Sequence, residues 1–426
     1  MNYLSQIAKM IDEQKRKIIQ NGGNIYLVGG SVRDIIMENM GILPKGIKPK
    51  DFDFCVTGLS QLEFESIFPA ARIQGKDFPV YVLEELPGCE ISLARKERKV
   101  AKGYRGFKII TSPDVTIEQD LIRRDFTINS IAYDFYGNKI IDLFNGNEDI
   151  KNRILRAASP AFGEDPLRVY RAAQMAARFG FDVEPKTIRM MNELKDELYT
   201  ISPERIFEEL RKAIRTKQPS RFFKVLNQAG VLTVHFPEIA KLVGVEQPVQ
   251  YHPEGDAFNH TMIVFDKVAE KTQREEVIFA GLVHDVGKGV TSPSLWPRHI
   301  GHEKAGAALI AEMGRRLKLP KTWGKAGKVS AGEHMKASRF EEMRPAKKVE
   351  FIEKISRSVL GLEGLEIITN ADGNNIRFAE LGRKMLEEVN GRILGLKEGK
   401  EACAKIHEAR VKWIKNLTEN LTSSGS

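Results

Sequence analysis

Tyr26-Leu-Val-Gly-Gly-Ser-Val-Arg-Asp34, followed by Asp51-Phe-Asp-Phe-Cys-Val56, decides how the first third of this chain folds. Ile25 to Val28 form an apolar run of the length of a buried strand. Gly29 and Gly30 turn the chain with no Cβ in the way, so backbone N–H groups can approach phosphate oxygens. Arg33 lies one turn into a helix whose N-terminus also favours an anion. Asp51 and Asp53 stand two apart, so in a strand both carboxylates project from one face while Phe52 and Phe54 enter the core. Two carboxylates converging on one side require a proton or a hard cation such as Mg²⁺ between them. In this order the pieces read as a turn that holds a triphosphate, then the acids that hold its metal.

Working outward, the segments from Asn24 to about Asn147 alternate strands with helices: Ile25–Val28, Phe52–Val56, Val80–Leu83, Glu90–Ala94 and Ser130–Asp134. Gly137-Asn138, between Ile131–Phe135 and Lys139–Leu143, is a hairpin signal. From about Ile150 helical periodicity takes over through Trp413, punctuated by Pro160, Pro203, Pro219 and Pro237. The expectation is an α/β head followed by a long α-helical body. Ahead of the head, Leu4, Ile7, Ile11 and Ile18 repeat at helical spacing and Gly22-Gly23 closes the helix, which reads as packing against the head. The basic segment Arg95–Phe107 reads either as a solvated loop or as a mobile loop touching RNA or nucleotide. Thr422–Ser426 reads as a disordered end.

A chain of 426 residues is too long for one compact core and suits two to four domains. With 42% hydrophobic and 29% charged residues it is of ordinary globular composition, and no apolar run approaches a membrane span. Lys and Arg number 66 against 57 acids, and the resulting +9 favours a polyanionic partner such as RNA. Cys55, Cys89 and Cys403 are widely spaced, which excludes a zinc knuckle or disulfide framework and fits a reducing, cytoplasmic compartment. The first residues show no signal-peptide h-region.

Two further motifs carry chemistry. In Arg123-Arg-Asp-Phe-Thr-Ile-Asn129, guanidinium groups can pair bidentately with phosphate and the Asp can accept from ribose hydroxyls. In Gly163-Glu-Asp-Pro-Leu-Arg-Val-Tyr-Arg171, Pro166 suits a first helical turn, and Asp165, Arg168 and Arg171 share one face. An acceptor beside a planar donor can mimic the edge of a template base, although an intrahelical salt bridge has the same spacing.

Gly-Gly-X-Val-Arg-Asp, Asp-X-Asp, Arg-Arg-Asp-X-X-X-Asn and Glu-Asp-X-X-Arg occur here in order. The set resembles the class II tRNA nucleotidyltransferases, or CCA-adding enzymes, and their relatives the bacterial poly(A) polymerases. Glu204-Arg-Ile-Phe-Glu208 resembles a further family motif in the neck. The resemblance implies a polymerase-beta-like nucleotidyltransferase head, α/β with a mixed sheet, followed by an all-α neck and body. It implies Mg²⁺ on Asp51 and Asp53 with Glu90 as a third carboxylate, and the triphosphate at Gly29, Gly30, Arg33 and Arg124. Asp125 and Asn129 would lie near the ribose, Asp165 and Arg168 would read the base, and Arg171 would add a nucleotide contact. Relatives place another arginine where this chain has Gln174, which bears on whether the full CCA is added.

Downstream lie Asn259-His-Thr261, Phe279-Ala-Gly-Leu-Val-His-Asp-Val-Gly-Lys-Gly289 and Asn370-Ala-Asp-Gly373. Imidazoles and carboxylates in such a set suit a divalent metal that activates water. They resemble the HD phosphohydrolase signature, on His260, His284, Asp285 and Asp372; His299, His302 and His334 between them read either as structural histidines or as holders of a second metal or a phosphate. An HD domain on this head is typical of the bacterial multifunctional subgroup. It implies 2′,3′-cyclic phosphodiesterase, 2′-nucleotidase or phosphatase activity, with a second divalent metal such as Ni²⁺. The expected domains are an N-terminal helix (1–23), the head (24–148), a base-reading and RNA-binding neck (149–245), the HD domain (246–375) and a helical tail (376–426). The expected partners are the tRNA acceptor arm, CTP and ATP. The alternatives are a poly(A) polymerase, an enzyme adding only CC or A, and an HD phosphohydrolase whose head merely binds RNA.

Overall fold

A computed structural model describes residues 3–44, 52–74, 79–99, 107–250, 253–397 and 399–423. The chain forms two compact units, Met1–Ser202 with Gln228–Val231, and Pro203–Asn227 with Leu232–Ser426. The division falls inside the span 149–245 read as neck.

The first unit is built on a seven-stranded mixed sheet: β1 (Asn24–Val28), β2 (Phe52–Thr57), β3 (Arg72–Gln74), β4 (Val80–Val82), β5 (Cys89–Leu93), β8 (Ile131–Asp134) and β9 (Lys139–Asp142), in the order β3-β4-β5-β2-β1-β8-β9. The strands β6 (Arg95–Lys99) and β7 (Phe107–Thr111) form a separate antiparallel ribbon. The apolar run at 25–28 lies between two neighbours and is buried throughout, as a central strand must be. Alternation puts Tyr26, Val28, Cys55 and Ala132 on one face, where Val115, Ile117 and Leu121 cover them. The helix Ile117–Ile122 starts in a capping box between Thr116 and Gln119. Gly137-Asn138 turns the β8–β9 hairpin with Asn138 at φ 50°. The N-terminal stretch forms two helices, Tyr3–Met10 and Asp12–Gln20, that bury Ile7, Ile11 and Ile18, and Gly22 closes the second at φ 84°.

The two ends of the basic segment read as a loop are strands of a ribbon. Phe107-Lys-Ile-Ile-Thr111 is β-branched enough to pair with Arg95–Lys99, and a charged strand is one that resists further pairing at its edge. Residues 100–106 lie outside the described ones. Thr422 and Ser423, read as part of a disordered end, belong instead to the last helix, Lys400–Ser423, and 424–426 lie outside the described residues.

The second unit is helical. Phe222, Phe223, Phe236 and Phe265 meet edge to face at ring distances of 5.2–5.9 Å, forming one aromatic core. Phe279 and Trp323, 5.1 Å apart, form another beneath the helix Glu275–Val283. Gly287 lies hard against the helix His302–Arg316: a Cβ there would meet the His302 carbonyl at 1.9 Å. Only glycine permits this approach, which brings His302 up to the segment carrying His284 and Asp285. No helix among the described residues is long and apolar enough to cross a membrane, and all three cysteines are free thiols.

Candidate active sites

Strand pairing assembles the first site. Asp53 is the register partner of Val28, the residue before the Gly29–Gly30 turn, and of Glu90 on the parallel neighbour β5. Asp53 and Glu90 are both exposed, side by side near the beginnings of two interior strands of the sheet. Asp51 lies outside the described residues. Gly29 has φ 71° and ψ −134°, a conformation close to glycine-only space. A Cβ there would stand 3.1 Å from an Arg124 guanidinium nitrogen and 3.6 Å from an Asp53 carboxylate oxygen, so glycine, acid and arginine meet at one point. Gly29→Ala is expected to cost about 1–3 kcal/mol of strain and to displace Arg124. Denaturant unfolding and nucleotide-incorporation kinetics would show both, and a variant matching wild type in each would dissociate the turn from the site.

The cations around this point are held rather than loose. Asp120, fully buried, accepts from Arg123 (2.6 Å) and Arg124 (2.9 Å) with separate oxygens. Burial alone would raise its pKa, but the two guanidinium groups hold it down to about 2. Asp120 belongs to none of the motifs, and the one sign of its role in the sequence is its i, i+3 and i, i+4 spacing to the two arginines. Arg33 is buried, donating to Asn129 (2.5 Å) and to Asp34 (2.8 Å) and lying 4.7 Å over the Phe179 ring. Asn129 in turn donates to Asp125 (2.9 Å), which accepts two bonds from Arg171 (2.8 and 2.6 Å). Burial opposes the Asp125 charge, yet Arg171, Asn129 and Arg168 bring its pKa down to about 2. Arg33, expected at the phosphate, and Asn129 and Asp125, expected at the ribose, thus form one hydrogen-bonded chain that runs from Asp34 to Arg171.

The helix Leu167–Phe179 carries the expected base reader. Arg168 donates to the carbonyls of Ala161 (2.5 Å) and of Arg123 (2.6 Å), while Asp165 accepts from the Leu167 N–H (3.0 Å). This ties the Asp165–Arg171 face to the backbone one residue before Arg124. Gln174 is buried on the same helix. The helix Pro203–Ile214, bearing Glu204, belongs to the second unit, where Glu204 pairs with Lys318.

The second site lies wholly in that unit. His260 on the helix Ala257–Lys271 faces Asp372 (Nε2 to Oδ1, 2.8 Å). His284 Nε2 lies 3.3 Å from Asp285 and 3.6 Å from Asp372. His302 and His334 approach the other Asp285 oxygen at 3.2 and 3.4 Å. Two ligand groups result, His260–His284–Asp285–Asp372 and Asp285–His302–His334, with Asp285 common to both. In three of the four rings Nδ1 is occupied by a backbone carbonyl: Gly281 for His284 (2.8 Å), His299 for His302 (2.9 Å) and Ser330 for His334 (3.0 Å). His260 uses Glu254 at 2.5 Å for the same purpose. Each ring therefore turns Nε2 inward, the orientation a metal-ligating histidine needs.

Electrostatics supply the fit test for a cation here. His284 Nε2, His302 Nε2 and Asp285 Oδ1 are buried without hydrogen-bond partners. Burial works against a charged His284, but Asp285 and Asp372 outweigh it and raise its pKa to about 10. A divalent metal answers the same demand for positive charge. Lys288 contacts Asp285 at 2.5 Å and donates to Gln247 at 2.7 Å, placing an ammonium beside the cluster. Of the three further histidines, His299 is structural: its two nitrogens face the Glu246 carbonyl and Thr291, both at 2.8 Å, so it braces the loop and takes no part in the cluster. Glu254 carried no sequence signal, because only the fold brings it to His260.

A mixed sheet with a glycine turn against an acid and an arginine, followed by a helical unit with a histidine–aspartate centre, defines a nucleotidyltransferase head coupled to an HD-type domain. Residues 25–156 match the family model described as the poly A polymerase head domain, and 257–357 match the HD domain. Residues 180–242 match the model described as "Probable RNA and SrmB- binding site of polymerase A". The multifunctional CCA protein of Nitrosospira multiformis is 42% identical over 322 residues, 75% of each chain, and that of Nitrosomonas europaea 42% over 324 residues, 76% of each. The chain belongs to the multifunctional CCA protein family. A Thermotoga maritima CCA-adding enzyme complexed with tRNA shares the fold at TM-score 0.63 and 19% identity, over 99% of this chain and 96% of that one. A CCA-adding enzyme solved with CTP does so at TM-score 0.62 and 20% identity, over 98% and 95%.

Proposed function

We propose that this chain adds or repairs the 3′-terminal CCA of tRNA from CTP and ATP without a template, and hydrolyses phosphate esters at its HD centre. The chain is a tRNA nucleotidyltransferase by family, and the polymerase head and HD domain imply dependence on divalent metal. One observation carries the residue assignment: Gly29, Asp53 and Arg124 converge, and Arg168 ties the base-reading helix to the same segment. Mg²⁺, held by Asp53 with Asp51 and Glu90, would lower the cost of deprotonating the tRNA 3′-OH and of charge on the triphosphate. The N–H groups of the Gly29–Gly30 turn, with Arg33 and Arg124, orient the triphosphate for in-line attack on the α-phosphorus. Asp125 and Asn129 position the ribose, with Arg171 completing the nucleotide contact. Asp165 and Arg168 offer an acceptor and a donor to the base edge, and the buried carbonyl contacts of Arg168 fix that edge in place.

At the second centre, His260, His284, Asp285 and Asp372 would hold a divalent cation such as Ni²⁺, with His302 and His334 offering Asp285 a second one. Bound metal supplies an activated water; Lys288 neutralises the anionic substrate. The substrates fitting this chemistry are 2′,3′-cyclic and 2′-phosphates on RNA ends. The test is extension of tRNA lacking its CCA end with CTP and ATP, singly and together. Complete CCA with both nucleotides is the expected result, and Asp165→Ala is expected to blur the choice between CTP and ATP. A long A tract, or extension halted at CC, would replace this reading with one of its rivals.

A further inference from the structure

Glu254-Gly-Asp256 immediately precedes the helix Ala257–Lys271 that carries His260, and lies ahead of the span matching the HD domain. Asp256 anchors this stretch. One of its carboxylate oxygens caps the helix, accepting from the Asn259 N–H at 2.8 Å, and the other accepts from the Gly244 N–H at 2.6 Å. Its backbone bridges Glu246. Between the two acids Gly255 stands at φ 103°, in space that a residue with a Cβ rarely enters. The turn brings Glu254 back to the helix it precedes, so that Oε1 lies 2.5 Å from Nδ1 of His260, six residues along. Both side chains are largely buried, Glu254 at 17% exposure and His260 at 6%, so solvent screens the contact little.

We infer that Glu254 is a positioning residue of the HD centre, one that sets how tightly the His260–His284–Asp285–Asp372 group holds its cation. A carboxylate only accepts, so Nδ1 of His260 carries the ring proton and the Nε2 lone pair is turned toward Asp372 and the other ligands. His284, His302 and His334 each lean on a neutral carbonyl three or four residues back in their own segment. His260 is the member of the centre backed by a charged acceptor, and that acceptor comes from outside its helix. A charged acceptor makes the stronger hydrogen bond, and a ring so backed is a better donor to metal. Glu254 therefore acts on the first ligand group, whereas Asp285–His302–His334 has no such support from it. The inference rests on the reading of this centre as a metal site.

The test measures Ni²⁺ affinity of the full chain by calorimetry, in wild type, Glu254→Gln and Glu254→Met. Both replacements are close to glutamate in length. Gln keeps a neutral acceptor, like those behind the other three rings, and should raise Kd a few fold. Met removes the acceptor and should raise Kd roughly 10–100-fold. In a His260→Ala background the same two substitutions should leave Kd within about twofold, because Glu254 acts through that ring. Phosphate release from a 2′-nucleotide should regain wild-type kcat at saturating Ni²⁺, and CCA addition should not change. Wild-type Kd in the Met variant, with its fold checked by a metal-free melt, would overturn the inference, as would an equal loss in the His260→Ala background. Should the Met variant fail to fold, the Gln variant decides in the same way. A wild-type chain that binds no Ni²⁺ would remove the metal reading of the centre and this inference with it, whereas binding indifferent to residue 254 would remove the inference alone.

Discussion

Asp53→Ala is expected to lower nucleotide incorporation onto tRNA by on the order of a hundredfold or more, with hydrolysis at the HD centre unchanged. The effect is large because Asp53 is the carboxylate that strand register sets against Val28, Glu90 and the Gly29 turn. Removing it leaves the triphosphate's charge facing Glu90 and whatever Asp51 supplies. The folded state should tolerate the change, since Asp53 is exposed and surface substitutions ordinarily move stability by about 0.5 kcal/mol or less. Single-turnover incorporation of labelled CTP, with a thermal melt alongside, separates chemistry from folding. Wild-type turnover in the variant would remove Asp53 from the metal site.

The second large effect is expected from Asp285→Asn. Asp285 is buried and touches His284, His302, His334 and Lys288, so both ligand groups depend on its charge. Bound divalent metal per chain should fall to background on equilibrium dialysis, and phosphate release from a 2′-nucleotide should be lost with it. CCA addition should survive, because every residue assigned to it lies in the other unit. Leaving Lys288 as a buried cation without its carboxylate also costs stability. Asp285→Asn is therefore paired with Asp285→Asn/Lys288→Met, which removes both charges; metal retained by either variant, with hydrolysis intact, would dismiss the centre.

The alternation of strands and helices through Asn147, the helical body after it, and the order of the motifs were legible because each is a local pattern of one segment. The histidines and aspartates of the HD set were legible for the same reason, as short strings on apolar helices. The ribbon at Arg95–Thr111 is not legible in the sequence, because Arg95–Lys99 has the charge of a solvated loop and becomes a strand only by pairing with the β-branched Phe107–Thr111. His299 looked equivalent to His302 by spacing, yet its ring nitrogens are spent on Glu246 and Thr291.

Residue types and their periods alone settled the α/β head and the helical remainder, and nominated the side chains proposed to carry chemistry, since strand and helix periodicity need no partner to be read. Tertiary structure decided the rest: that Asp120 fixes Arg123 and Arg124, that one chain of hydrogen bonds runs from Asp34 to Arg171, and that every ring at the HD centre turns Nε2 inward. Those facts depend on which carbonyl or carboxylate arrives from a distant segment, and a hydrogen bond's direction and length are set in space, where spacing along the chain has no say.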